Sequence, residues 1–288
     1  MYDDNLRLAV AKLAAATEGL SDQVLGQDWT WRDHDEGVRF ALIGSYHELR
    51  DLAVVLREER QKTGGPEPIT SAQYLLGQYH GAYRDLQAVL LGVEDDILDT
   101  PPAEGEWPLR RIMGHIIGAD SLFYVLVHRA VEWARAGQEP RKITRVDVDE
   151  LVGTDEEFDT MLAAEDLGGI LDYYESLHNQ IIMEVAGWRT SDLEALCPFW
   201  EGQPMPVRYR LHRFDAHLIQ HTVQIEKTLE ALGQSPNEAK RLLRLVYKAL
   251  AEAESALIGS WDLKTSAHTD VTAAIASRAN EIREITSD

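Results

Sequence analysis

The stretch RFDAHLIQHTVQIEKTLEALG, Arg213 to Gly233, places two histidines, His217 and His221, four residues apart in a sequence of helical period. Gly233 closes the stretch, as glycine does where a helix ends in the left-handed conformation. On a helix, positions i and i+4 share a face, with Cβ atoms roughly 5–6 Å apart. Two imidazoles so placed can converge on one ion through bonds of about 2.0–2.1 Å. A chain with ten histidines also produces such a pair by chance, as two ordinary residues on one side of a helix. The stretch is not HExxH, so it lacks the glutamate base of a metalloprotease.

The same period runs outward in both directions. NLRLAVAKLAAATEGL spaces its apolar residues by three and four, and 33–60 predicts a second long helix. QKTGGPEPITS then interrupts and marks a candidate boundary. Thr70 or Ser71 can cap the next helix, AQYLLGQYHGAYRDLQAVLLGV. After DTPPAEGEWP, Pro108 stands at the start of LRRIMGHIIGADSLFYVLVHRAVEWARAG, with Arg135 suited to its last turn and Gly137 to its end. The polar stretch 138–166 is long for a loop and has room for a short helix. LGGILDYYESLHNQIIMEVAGW follows, then the break CPFWEGQPMP, then the helix that ends at Gly233. Two further helices are expected at about 237–258 and 266–286.

No segment alternates with period two, so the chain reads as all-α. Residues 71–234 hold four long helices in two short-looped pairs, with a long connection between helices 2 and 3. That is a known arrangement for burying four apolar stripes. The flanks, 1–62 and 237–288, supply about two helices each. Neither pair closes a core alone, and together they could form a second bundle. A faint repeat accompanies this reading: Trp29 precedes His47 by eighteen residues, and Trp200 precedes His217 by seventeen.

Composition excludes several classes. The chain has 288 residues, about 44% of them apolar, which is enough for a sizeable core. With 28 Lys+Arg against 49 Asp+Glu, the formal charge is −21, which disfavours nucleic acid and anionic membranes as partners. No run of 18 apolar residues predicts a membrane span. The N-terminus, MYDDNLRLAVAKLAAA, has no basic n-region and does not resemble a signal peptide. Cys197 is the single cysteine, so no internal disulfide or cysteine-rich zinc site is expected. These features together lead to the expectation of a cytoplasmic protein.

A metal clamp needs a third ligand from another helix. His115, in EWPLRRIMGHIIGAD, is the best placed, although its neighbours Ile112, Ile116, Ile117 and Phe123 suggest a buried helix, where a histidine is ordinarily a satisfied core residue. His80, His128, His178 and His212 lack supporting context and are expected on the surface.

EWPLRRIMGHIIGAD, followed after a long crossover by HxxxHxxQ and a closing LG, resembles the DinB-like (DinB/YfiT) superfamily. Trp107 and His115 match that family's first motif. His217, His221 and Gln224 match its second. One departure is Gln220, where many members have a histidine adjacent to His221. The resemblance covers 71–234 and implies a four-helix bundle that binds a divalent metal through His115, His217 and His221. Zinc and nickel are the leading ions, although imidazole also suits copper and iron.

The resemblance further implies a small-molecule substrate and metal-activated chemistry on a low-molecular-weight thiol, as a transferase or isomerase. Gln224 would be a hydrogen-bonding support, with Asp120 and Tyr124 lining the pocket. Ordinary packing or solvation is the competing reading for all three. A metal-dependent hydrolase is the second reading, with Asp120, Asp215 and Glu226 available as bases. The third is a non-catalytic, metal-stabilised binding protein. Arg110, Arg111, Arg208, Arg210 and Arg213 flank the motifs and could hold an acidic substrate or pair with acidic neighbours. A two-fold homodimer is the default oligomer.

Overall fold

A computed structural model describes residues 4–31, 33–63, 69–199 and 203–286. In chain order the helices are α1 (Asp4–Thr17), α2 (Asp22–Leu25), α3 (Arg39–Lys62), α4 (Ser71–Val89), α5 (Leu109–Arg135) and α6 (Arg145–Val152). They continue with α7 (Asp155–Ala164), α8 (Leu167–Ala186), α9 (Thr190–Leu193), α10 (Val207–Ala231), α11 (Glu238–Ser255) and α12 (Ser266–Thr286). The protein is all-α apart from two antiparallel two-residue ladders. These pair β1 (Thr30–Trp31) with β2 (His34–Asp35), and β3 (Leu196–Cys197) with β4 (Met205–Pro206).

Local chemistry sets the helix ends. The Thr70 hydroxyl accepts from the Gln73 amide, and the Gln73 side chain accepts from the Thr70 amide, so Thr70 rather than Ser71 caps α4. Pro108 is the N-cap of α5, one residue ahead of its expected first-turn place. Gly137 and Gly233 take φ of 66° and 81° just beyond α5 and α10, the backbone region glycine enters without strain. The crossover carries two helices rather than one. Each opens on a capping box, Thr144 with Asp147 and Thr154 with Glu157.

The expected helix from 33 begins only at Arg39. Asp33 has φ of 68°, which no helix accommodates, and it lies in the turn between β1 and β2. His80 and His178 are also corrected: both are buried, not on the surface. The second half of the Trp–His repeat rests on Trp200, which lies outside the described residues. Trp29 is buried in a core with Leu42, Leu49 and Leu250, and its indole N–H donates to Glu281.

The chain divides into two compact units. One takes in Met1–Pro68, His80–Val93 and Gln234–Asp288, so both ends of the sequence contribute to it. Within it α3 packs on α11 and α1 on α12, and Leu13, Leu56, Val246 and Ile282 are fully buried in the shared core. The other unit comprises Ile69–Tyr79 and Glu94–Gly233. It is a bundle of the start of α4 with α5, α8 and α10, and α6 and α7 lie in its crossover. Phe214 of α10 packs its ring on Tyr79 of α4 and Phe123 of α5, at 5.1 and 5.8 Å between centroids.

Candidate metal centre

His115 lies in the second turn of α5. His217 and His221 lie one turn apart on α10, the helix that packs most extensively against α5. The helical spacing aligns the second pair, and the α5–α10 contact brings the first ring to them. One nitrogen from each ring falls within 4.8 Å of the other two. The ring centroids are 4.4 Å (His217–His221), 4.6 Å (His115–His221) and 5.0 Å (His115–His217) apart.

His217 Nε2 and His115 Nε2 are 3.1 Å apart. Two nitrogens each about 2.0–2.1 Å from one ion, at tetrahedral or octahedral angles, stand roughly 2.9–3.4 Å apart. Two lone pairs at that separation repel unless a proton or a cation lies between them. The donor set therefore fits a divalent ion.

His217 and His221 are buried, whereas His115 is exposed, contrary to the expectation from its apolar neighbours. Ile112, Ile116 and Ile117 turn to the core while His115 occupies the open side of the same helix. Desolvation, followed by the charges of His221, His115 and Arg213, pushes the His217 imidazole down to about 4. Desolvation and His221 push His115 down as well. Both shifts favour the neutral ring, the form that ligates metals.

Gln224 Oε1 lies 2.7 Å from His221 Nδ1 and accepts its proton, which leaves the Nε2 lone pair free for an ion. Trp107 sets its indole edge to face against His115 at 5.4 Å, and the Arg111 guanidinium caps that indole at 4.4 Å. Phe123 packs against His217 at 5.5 Å.

Asp120 and Tyr124 lie farther along α5. Asp120 is fully buried and accepts from the hydroxyls of Tyr79 (2.7 Å) and Tyr174 (2.6 Å), both on Oδ2. Its other oxygen has no hydrogen-bond partner among the described residues, and burial pushes the carboxyl up to about 7. Tyr124 is buried against His128, with ring centroids 5.6 Å apart. Among the described residues, no hydrogen bond or ring contact joins Asp120 or Tyr124 to the three histidines.

The flanking arginines divide into two kinds. Arg110 forks onto Asp99, and Arg208 pairs with Glu194. Arg210 and Arg213 stack over Phe199 and Phe123. Asp215, a candidate base, is raised by burial, and the His212 ring lies 3.9 Å from its carboxyl.

A feature with no sequence motif is a cleft of about 730 Å³ beside α5, lined by Leu122, Leu126, Ile143, Val148, Pro198 and Phe199 among others. A smaller pocket of about 280 Å³ shares Leu122, Arg145 and Val148 with it and reaches Gly118, three residues beyond His115. Only the fold could reveal either, because the walls come from α5, the crossover and the segment before β4.

The family model for the DinB superfamily matches residues 78–225, just over half of the chain. The match takes in Trp107, all three histidines and Gln224, and the chain belongs to that superfamily. No curated protein and no solved structure matches it. Among the described residues no helix is long and apolar enough to cross a membrane.

Proposed function

We propose that this protein holds one divalent cation on His115, His217 and His221 and acts as a metal-dependent transferase using a low-molecular-weight thiol. The observation that carries the reading is the convergence of three imidazoles from two helices, with no carboxylate or cysteine in the group. Three neutral nitrogen ligands leave a coordination position open, as catalytic rather than closed structural sites do. An ion held there would acidify a thiol or a water brought to it.

The chain's own residues supply the rest. Burial keeps His217 uncharged at neutral pH, and Gln224 holds the His221 tautomer. Trp107 packs against the His115 ring and Phe123 against the His217 ring. The cleft lined by Leu122 and Leu126, farther along α5 from His115, supports a substrate space that a purely structural metal site would not require. A hydrolase needs a base beside the bound water, and no carboxylate joins the histidine group among the described residues, so thiol chemistry is preferred.

The test is metal content of tag-free protein by elemental analysis, for wild type and His217→Ala. About one divalent ion per chain in the wild type, lost in the variant, is expected. Cobalt-loaded protein should then develop a sulfur-to-metal charge-transfer band on adding cysteine. Wild type that retains no metal after zinc or nickel loading overturns the metal reading. Bound metal without a thiol band overturns the transferase.

A further inference from the structure

Among the described residues the cleft beside α5 is lined by Arg141, Lys142 and Arg145 and by no carboxylate, in a chain of formal charge −21. We propose that it is a binding site for an apolar monocarboxylate, with the tail in the cleft and the carboxylate on Lys142.

Its volume lies within the roughly 300–1,000 Å³ of small-molecule pockets. Leucine, isoleucine, valine, proline and phenylalanine form most of its wall and suit a hydrocarbon or aryl tail. The cations differ in availability. Arg141 forks onto Asp147 at 2.9 and 3.1 Å, and Arg145 pairs with Asp149 and Asp155. Lys142 is exposed and has no ion pair among the described residues. One available ammonium, a compact point charge, matches the single charge of one carboxylate.

The wall is also held in place. The Thr144–Asp147 capping box starts α6 at the cleft, and Arg141 braces the same aspartate. On α5, Leu122 and Leu126 follow His115 by seven and eleven residues, the spacing of a single helical stripe. The smaller pocket continues that stripe to Gly118. On the reading above, the ligand would be the substrate whose reacting part lies toward His115. The binding site itself does not depend on the metal.

Calorimetric titration of the full chain with decanoate, before and after removal of metal by chelation, tests the site. Saturable one-to-one binding is expected in both forms. Lys142→Glu should weaken it at least tenfold, and Leu122→Trp, which fills the cleft from a partly exposed position, should abolish it with the helical circular dichroism unchanged. Decylammonium should bind at least tenfold more weakly than decanoate. Absence of saturable binding, equal affinity for the two amphiphiles, or indifference to both substitutions overturns the proposal. Binding that requires the metal overturns it too, because it places the carboxylate on the ion instead. Binding that survives chelation stands even if the thiol chemistry fails.

Discussion

Gln224 and Asp120 show how differently two side chains first grouped together can be used. Gln224 accepts the His221 Nδ1 proton and so orients a ring toward the other two. Gln224→Leu should keep the fold and lower metal affinity by about 10–100-fold, the usual effect of losing such a support, measured by competition with a chromophoric chelator. His217→Ala should lose the ion outright. Asp120 instead sits under two tyrosine hydroxyls with its carboxyl pushed up to about 7. In the unfolded chain that group ionises near its ordinary value, so between about pH 4 and 7 the folded state alone keeps the proton. The contribution of Asp120 is therefore full below pH 4, declines as pH rises, and levels off above 7. Asp120→Asn mimics the protonated form at every pH. Urea unfolding at pH 5 and 7.5 should show the variant losing less stability over that interval than wild type, by an amount on the order of 1–3 kcal/mol. An equal loss in both proteins would mean that Asp120 is ionised in the folded state.

At the scale of elements, the long helices were legible where they carry their own punctuation. Thr70, Pro108, Gly137, Gly233 and Asn237 all lie at helix boundaries. The two ladders were not legible, since two-residue strands are too short to display alternation. Burial of His80 and His178 was equally hidden, because it depends on partners distant in sequence: Glu254 for one and Tyr79 for the other. Spacing of one turn makes His217 and His221 neighbours, but the position of His115 beside them depends on how α5 crosses α10. Its motif pointed to it even though its apolar neighbours did not. Gly114 and Gly118 are placed where α7 passes closely: a Cβ at Gly114 would run into the Leu162 side chain, and one at Gly118 would touch Phe158 at 3.9 Å. Asn237 illustrates what one cap can hold. Its side-chain oxygen accepts from the Lys240 amide, while its amide nitrogen donates to the carbonyls of Glu18 and Leu20. Asn237→Ala removes the cap and leaves both carbonyls short of a donor. Stability by denaturant unfolding should fall by about 2 kcal/mol, above the ~1 kcal/mol of an ordinary cap.

At the scale of the whole molecule, the unit built from both ends of the chain contains a buried ionic triad. Arg84 forks onto Glu254 at 2.7 and 2.8 Å, and His80 Nε2 meets the same carboxylate at 2.8 Å, all at 3% side-chain exposure or less. Burial alone would raise Glu254, but the charges and hydrogen bonds of Arg84 and His80 overcome it and hold the carboxyl at about 2. Its contribution is therefore present above the ordinary glutamate range and is lost as pH falls toward 2, opposite in direction to that of Asp120. Glu254→Gln strands the Arg84 charge in the interior and should cost about 3–5 kcal/mol. The pair itself need not be stabilising relative to an apolar core, because the cost comes from the abandoned partner. Arg84→Met combined with Glu254→Leu should therefore recover much of that loss, with His80 left to a neutral tautomer. Equilibrium unfolding of the single and double variants decides the point. A double variant as unstable as Glu254→Gln would show that the triad supplies net stability between α4 and α11, and recovery would show that its contribution is to specify how those helices pair.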